Sequence, residues 1–333
     1  MKKLINAPED VVAEAVAGFV AAHPGVLALQ EDPLVVTRAG GAVPGKVGLV
    51  SGGGSGHEPL HTGYVGHGML DAAVPGHVFT SPPPEPFLAA VRTAAGGSGV
   101  LLVVKNYTGD VLNAEIAAEL ADAEGIDVRT VLVADDVAVE DSTFTAGRRG
   151  VAGTLLVEKI AGAAAERGND LAAVEALAQR VAGSVRSMGL ALSAPTLPHA
   201  GRPSFDLADD EVELGVGIHG EPGRARVAHA GADALTDRLL EPVVADLGLR
   251  AGEEVLLLVN GMGATPPMEL AVVYGRARAR LEAAGVVVSR SLVGSYVTSL
   301  DMAGVSVSVL RLDEEMTELW DAPVCTAALR WGM

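Results

Sequence analysis

Residues 99–105 read Gly-Val-Leu-Leu-Val-Val-Lys. A strand that is apolar at nearly every position has no face left for water, so it belongs inside a sheet covered on both sides. A helical stretch follows at 111–123, and a second buried strand at 128–133. Strand, helix and strand in that order make a βαβ unit, which joins parallel neighbours through a crossover. The alternation extends both ways. Apolar residues at helical spacing predict helices over 8–22, 60–68, 85–95, 150–167 and 170–188. Strands are predicted at 34–37, 47–50 and 72–79. Residues 193–204 carry Pro195, Pro198 and Pro203 and read as a connector. Beyond it lie predicted strands at 212–218, 254–259, 286–293 and 305–312, and helices at 232–247, 267–284 and 313–319. The expected fold is α/β: two α/β domains, 1–192 and 205–333, with mostly parallel or mixed sheets and helices on both faces.

The densest punctuation lies at 49–61, Leu-Val-Ser-Gly-Gly-Gly-Ser-Gly-His-Glu-Pro-Leu-His. It predicts a strand, a glycine loop of positive φ and a helix starting at Pro59, the usual place for a ligand in an open α/β sheet. Three familiar motifs fail here. His57-Glu58-Pro59-Leu60-His61 has the letters of a zinc-protease helix, but Pro59 separates the histidines; a zinc hydrolase is the most distant reading, and no metal site is assigned. Residues 40–47 resemble a phosphate loop but end in Val47, without the magnesium-binding hydroxyl, and precede a strand. Residues 53–57 lack the last glycine of a nucleophile elbow, so Ser55 reads as a hydrogen-bonding loop residue.

Charge and composition narrow the classes. A net charge of −18 argues against nucleic acid, which needs clustered cations, and against anionic membrane surfaces. One cysteine, Cys325, excludes an internal disulfide. With no apolar segment of signal-peptide or membrane-spanning character, the expected location is cytoplasmic. Aromatic residues make up 3% of a chain that is 49% hydrophobic, so the core is built of Ala, Val and Leu.

Four residues are placed where strands end and ligands bind: His57, Lys105, Asp110 and His219. Each has an ordinary alternative. Asp110 taken alone reads as a helix N-cap, Lys105 as a solvent-reaching lysine, His219 as a backbone-satisfied core histidine. Asn260 reads as a turn asparagine, and His61, His67 and His77 as histidines that structure loops.

Residues 50–59 (Val-Ser-Gly-Gly-Gly-Ser-Gly-His-Glu-Pro), 105–110 (Lys-Asn-Tyr-Thr-Gly-Asp), 217–223 (Gly-Ile-His-Gly-Glu-Pro-Gly) and 260–265 (Asn-Gly-Met-Gly-Ala-Thr), with the stretches at 1–6 and 294–304, resemble the signature segments of the dihydroxyacetone kinase substrate-binding (K) subunits. The likeness covers essentially the whole chain; Ala114 and the tail after Pro323 depart from the pattern. It implies that His219 adds to the ketone carbonyl of dihydroxyacetone to give a hemiaminal, that His57 serves as an acid–base group, and that Asp110 accepts the proton of the hydroxyl to be phosphorylated. It further implies that Lys105, Gly54, Ser55 and Gly56 surround the substrate. The nucleotide, ADP or ATP with magnesium, is expected on a separate L subunit and not on this chain. In one branch that subunit is expected to be recharged by a phosphotransferase-system protein, the M subunit. The K subunit is expected to be a homodimer. A tetrulose such as erythrulose is the rival substrate, and a non-catalytic ketone-sensing coactivator the rival class.

Overall fold

The apolar runs become the centres of two sheets in a computed structural model that describes residues 2–141 and 145–333. The first half contains helix α1 (Val11–Ala22) and strands β1 (Leu27–Gln30), β2 (Val35–Arg38), β3 (Gly48–Ser55), β4 (Gly66–His67), β5 (Ala72–Val78), β6 (Val100–Lys105) and β7 (Val128–Val133). Helices α2 (Pro84–Ala94) and α3 (Thr108–Ala123) lie between the later strands. The first sheet has the order β1-β2-β5-β3-β6-β7. Its β5-β3-β6-β7 part is parallel, and β1 and β2 add an antiparallel edge.

Helices α4 (Gly153–Glu166) and α5 (Leu171–Ser184) lead into β8 (Val185–Ala191). Then follow β9 (Glu211–Leu214), β10 (Ala225–Ala228), α6 (Ala232–Leu247), β11 (Glu254–Gly261), α7 (Pro267–Ala283), β12 (Val287–Gly294), β13 (Gly304–Arg311), α8 (Glu314–Asp321), β14 (Val324–Thr326) and β15 (Arg330–Trp331). The second sheet, β10-β9-β8-β13-β11-β12, is antiparallel except for its β11–β12 pair. Strands β15 and β14 form a small third sheet with β4.

Packing follows from which faces are apolar. Helices α2 and α3 cover one face of the first sheet, and α6 and α7 cover the outer face of the second. Between the sheets lie α4 and α5, whose Leu155, Leu156, Ile160, Val174 and Val181 share one core with Leu101 and Val103 of β6, Leu256 and Leu258 of β11, and Leu310 of β13. Every residue of α4 from Gly153 to Ala165 is buried, which is what an almost uniformly apolar helix requires.

Three expectations are corrected. The glycines at 52–54 continue β3 instead of forming a loop, and of this run only Gly56 has positive φ, 106°. Their need is space: a Cβ on Gly52 would lie 2.8 Å from the Phe87 ring, and one on Gly54 2.5 Å from the Thr80 nitrogen. The helix at 60–68 is a single 3-10 turn, Thr62–Tyr64, followed by β4. The helix at 170–188 ends at Ser184, and Val185–Ala191 is a strand at the centre of the second sheet. The second sheet therefore begins ahead of the proline-rich 193–204. The polar stretch 135–149 has no helix or strand over its described part, and 142–144 lie outside the described residues. Its ends are nonetheless buried. Arg149 pairs with Asp136 and donates to the Gly215 carbonyl at 2.7 Å. Asp135 accepts from Ser187 and from the amides of Val151 and Gly153. These bonds fix the loop bearing His219 against the first sheet.

Candidate active site

The carboxyl end of β3 aims into the junction between the two sheets. His57 is buried, and its Nδ1–H donates to the Thr298 carbonyl at 2.8 Å. That leaves Nε2 as a lone pair with no protein partner among the described residues. The ring stacks on Phe79, centroids 5.0 Å apart. Burial, helped by the nearby His219 and Lys105, holds its pKa well below the usual histidine range, so the imidazole is neutral at pH 7.

His219 arrives from the second half of the chain, with its ring centroid 4.8 Å from that of His57. Phe79 and Tyr107 meet it edge-on at 5.2 and 4.7 Å. Its Nδ1–H donates to Glu221 Oε1 at 2.8 Å, and its amide donates to Glu221 Oε2 at 2.9 Å. Burial alone would raise Glu221, but His219 and Arg149 overcome it and hold the carboxyl at about 2. An ionised Glu221 fixes the tautomer and turns the Nε2 lone pair of His219 toward the site. The side chain of His219 is 18% exposed, open enough to be reached.

Lys105, at the end of β6, is buried, with Nζ 2.7 Å from His61 Nε2. His61 in turn gives its Nδ1–H to Glu158 Oε1 of α4 at 2.6 Å. Burial lowers the Lys105 pKa, against the pull of Asp110 and Glu158. Gly53 leaves room for this lysine: a Cβ there would lie 2.5 Å from Nζ. Asp110 stands in the first turn of α3, where the helix dipole favours a carboxylate. The N-cap position belongs to Tyr107, so the capping alternative for Asp110 does not hold. Asp110 is buried, and its Oδ1 has no hydrogen-bond partner among the described residues.

The predicted residues therefore divide cleanly. His57 and His219 touch, and Lys105 lies within electrostatic reach of both His57 and Asp110. Gly54, Ser55 and Gly56 lead up to His57 but line the apolar cavity beside α1 described below; Ser55 donates to the Gly76 carbonyl at 2.7 Å, and the Gly56 amide donates to the Glu58 carboxylate. Asn260 is a turn organiser, bound to Val297 and Tyr296. Sequence reasoning missed Phe79, Tyr107, Glu221 and Glu158, and it gave His61 only a loop role. His57 and His61 share no helical face, and each Nδ1 is committed elsewhere, which disposes of the zinc-protease geometry. Three buried polar atoms have no hydrogen-bond partner among the described residues: His57 Nε2 and the Tyr107 hydroxyl, on two rings that pack against His219, and Asp110 Oδ1, within electrostatic reach of Tyr107 and Lys105. Buried polar groups in folded proteins are ordinarily paired, so their coincidence marks a place built for a polar ligand. A separate apolar cavity of about 280 Å³ lies between α1 and the β3 glycines, and none of His57, Lys105, Asp110 and His219 lines it.

The chain is 49% identical, over the full length of both, to "PEP-dependent dihydroxyacetone kinase, dihydroxyacetone-binding subunit DhaK" of Escherichia coli. It is 53% identical, over 98% of this chain and all of the relative, to the corresponding subunit of "PTS-dependent dihydroxyacetone kinase 1" of Listeria innocua. Among solved structures it superposes on "Dihydroxyacetone kinase operon co-activator Dha-DhaQ" with a TM-score of 0.88 and 36% identity, over 95% of this chain and 96% of that one. Residues 17–328 match the model of the Dak1 domain, and the chain belongs to the Dak1 domain family.

Proposed function

We propose that this chain is the ketone-holding subunit of a dihydroxyacetone kinase. The observation that carries the reading is the contact between His57, whose buried Nε2 has no partner among the described residues, and His219, whose Nδ1–H is anchored to an ionised carboxylate. His219 Nε2 adds to the carbonyl carbon. The carbonyl π pair moves to oxygen, which takes up a proton, and the positive charge left on the imidazole is matched by Glu221. A polyol such as glycerol has no carbonyl to attack and is not held. Lys105 and neutral His57 hydrogen-bond the captured ketone. Asp110 takes the proton of the terminal hydroxyl as its oxygen attacks the phosphoryl group. Developing charge on that group needs magnesium and cations at the donor side. These come with ADP or ATP on a separate nucleotide-binding subunit, which a phosphotransferase-system protein recharges, in keeping with the names of the relatives. The working form is a homodimer in the cytoplasm. Among the described residues no helix is long and apolar enough to cross a membrane.

The test is native mass spectrometry of the wild type and His219→Ala, each with dihydroxyacetone, erythrulose and glycerol. A one-to-one ketone adduct that vanishes in the variant is expected, with none from glycerol. An adduct indifferent to His219, or none with either ketone, would sink the reading. The structural likeness to an operon co-activator favours one second reading, a ketone sensor. In that case the adduct forms, but no phosphorylation follows when a nucleotide-binding subunit and donor are supplied.

A further inference from the structure

Beneath the site a second histidine–glutamate pair is buried, and the proposed chemistry does not call on it. Glu158 comes from α4, His61 from the segment after β3, and Lys105 from β6; the contacts are 2.6 Å and 2.7 Å. All three side chains are buried. The direction of each bond follows from what the groups can do. An ammonium has only donors, so Lys105 gives a proton to His61 Nε2. A neutral imidazole that accepts at Nε2 carries its hydrogen on Nδ1 and donates it to Glu158 Oε1. Burial keeps His61 neutral, well below the usual histidine range, and the Lys105 charge adds to this. Burial also lifts the Glu158 carboxyl to about 8, against the pull of Lys105 and Ser51. The bond needs no charge on Glu158, because the carbonyl oxygen of a neutral carboxyl also accepts from Nδ1–H, more weakly than a carboxylate does.

Around the trio stand Ser51 and Gly53 of β3, Tyr64 of the 3-10 turn, His57, and Asp110 of α3. Lys105 lies within electrostatic reach of His57 and Asp110, and beyond its bond to His61 it has two N–H groups with no acceptor among the described residues. A lysine has a long, flexible stem, and holding its head in one direction needs a fixed acceptor behind it.

We propose that Glu158 is a positioning residue: by fixing the Nδ1–H tautomer of His61, it presents a lone pair that anchors the Lys105 ammonium and aims its remaining hydrogens at the oxygen of the bound ketone. The aim of those hydrogens at a ketone rests on the function proposed above; the tautomer and the anchoring of Lys105 do not.

The experiment is ¹⁵N NMR of the full-length, ligand-free protein, with His61 assigned against His61→Gln. Wild-type His61 is expected to show a protonated Nδ1 and a bare Nε2 from pH 6 to 8. A proton on Nε2, or an imidazolium, would overturn the proposal, and this measurement needs no variant to fold. Glu158→Gln keeps an acceptor and is expected to keep the tautomer and the affinity for dihydroxyacetone. Glu158→Leu removes the acceptor. It is expected to lose the tautomer and to weaken adduct formation about tenfold to a hundredfold, the cost of misaiming one group in a near-attack arrangement. A folded Glu158→Leu with unchanged tautomer or unchanged adduct affinity would also overturn it. Failure of the wild type to form any ketone adduct would instead refute the functional reading, while the His61 spectrum still decides the anchoring of Lys105.

Discussion

Two histidine–glutamate pairs serve this site, and they are nearly the same length, 2.8 Å for His219–Glu221 and 2.6 Å for His61–Glu158. Their carboxyls are driven in opposite directions. Glu221 lies beside Arg149, accepts the His219 amide and stays ionised down to about 2. Glu158 is sealed inside α4, with Lys105 as its one close cation, and is pushed to about 8. The same residue pair leaves a partly exposed imidazole on an ionised carboxylate at His219, and a buried imidazole on a carboxyl that burial drives toward its neutral form at His61. Surroundings decide the chemistry, not the pairing.

The largest expected effect tests the groups the two pairs support. Asp110→Ala is expected to retain the ketone adduct and lose turnover by about 10²- to 10⁴-fold, the usual worth of a positioned base; single-turnover phosphorylation beside native mass spectrometry reads both. Retained turnover would remove Asp110 from its role. Next come the opposed pH signatures. The native state holds the Glu158 proton between pH 4.5 and 8, while the unfolded chain releases it, so wild-type stability falls as pH rises across that window. Glu158→Gln lacks this loss, and its stability relative to wild type is expected to climb from pH 5 to pH 9 by up to about 4 kcal/mol. Glu221 has the opposite sign. Its contribution is complete above pH 4.5 and is lost as pH falls toward 2. Glu221→Gln is therefore expected to be less stable than wild type at pH 7 by up to about 3 kcal/mol, a gap that closes in acid. Urea unfolding across pH checks both, and parallel profiles for the two variants would dissolve the contrast. The smallest effect lies in the strand between the pairs. Gly52→Ala presses a methyl onto Phe87 and Val74 and is expected to cost about 1–3 kcal/mol. Gly53→Ala meets only the movable end of Lys105, so it is expected to fold nearly as well while weakening ketone capture.

Legibility in the sequence tracks distance along the chain. The β6–α3–β7 unit was readable because each element carries its own periodicity, and the glycine segment because its composition is unusual. The glycines were misread as a loop because φ was assumed to explain them; what explains them is the proximity of Phe87, Thr80 and Lys105, residues that no local pattern brings near. Strand β8 was hidden because Val181, Val185 and Met188 keep helical spacing across the change, which outweighed the one marker there, Gly183. His57, Lys105, Asp110 and His219 were singled out as strand-end residues; Lys105 ends β6 and His57 follows β3 closely, whereas Asp110 lies in the first turn of α3 and His219 in the loop between β9 and β10. Glu158 was not, because in sequence it is one polar residue within an apolar helix. Phe79 and Tyr107 gave no signal beyond the rarity of aromatic residues in this chain.

The bond from His57 to the Thr298 carbonyl spans 241 residues. During synthesis at 5–20 residues per second, roughly 10 to 50 seconds separate the emergence of the two partners. For that interval the Nδ1–H of His57 lacks the carbonyl that accepts it in the folded protein, although Phe79, Tyr107 and His219, the rings around it, have already been made. The proposed ketone site is thus complete only when almost the whole polypeptide has been made.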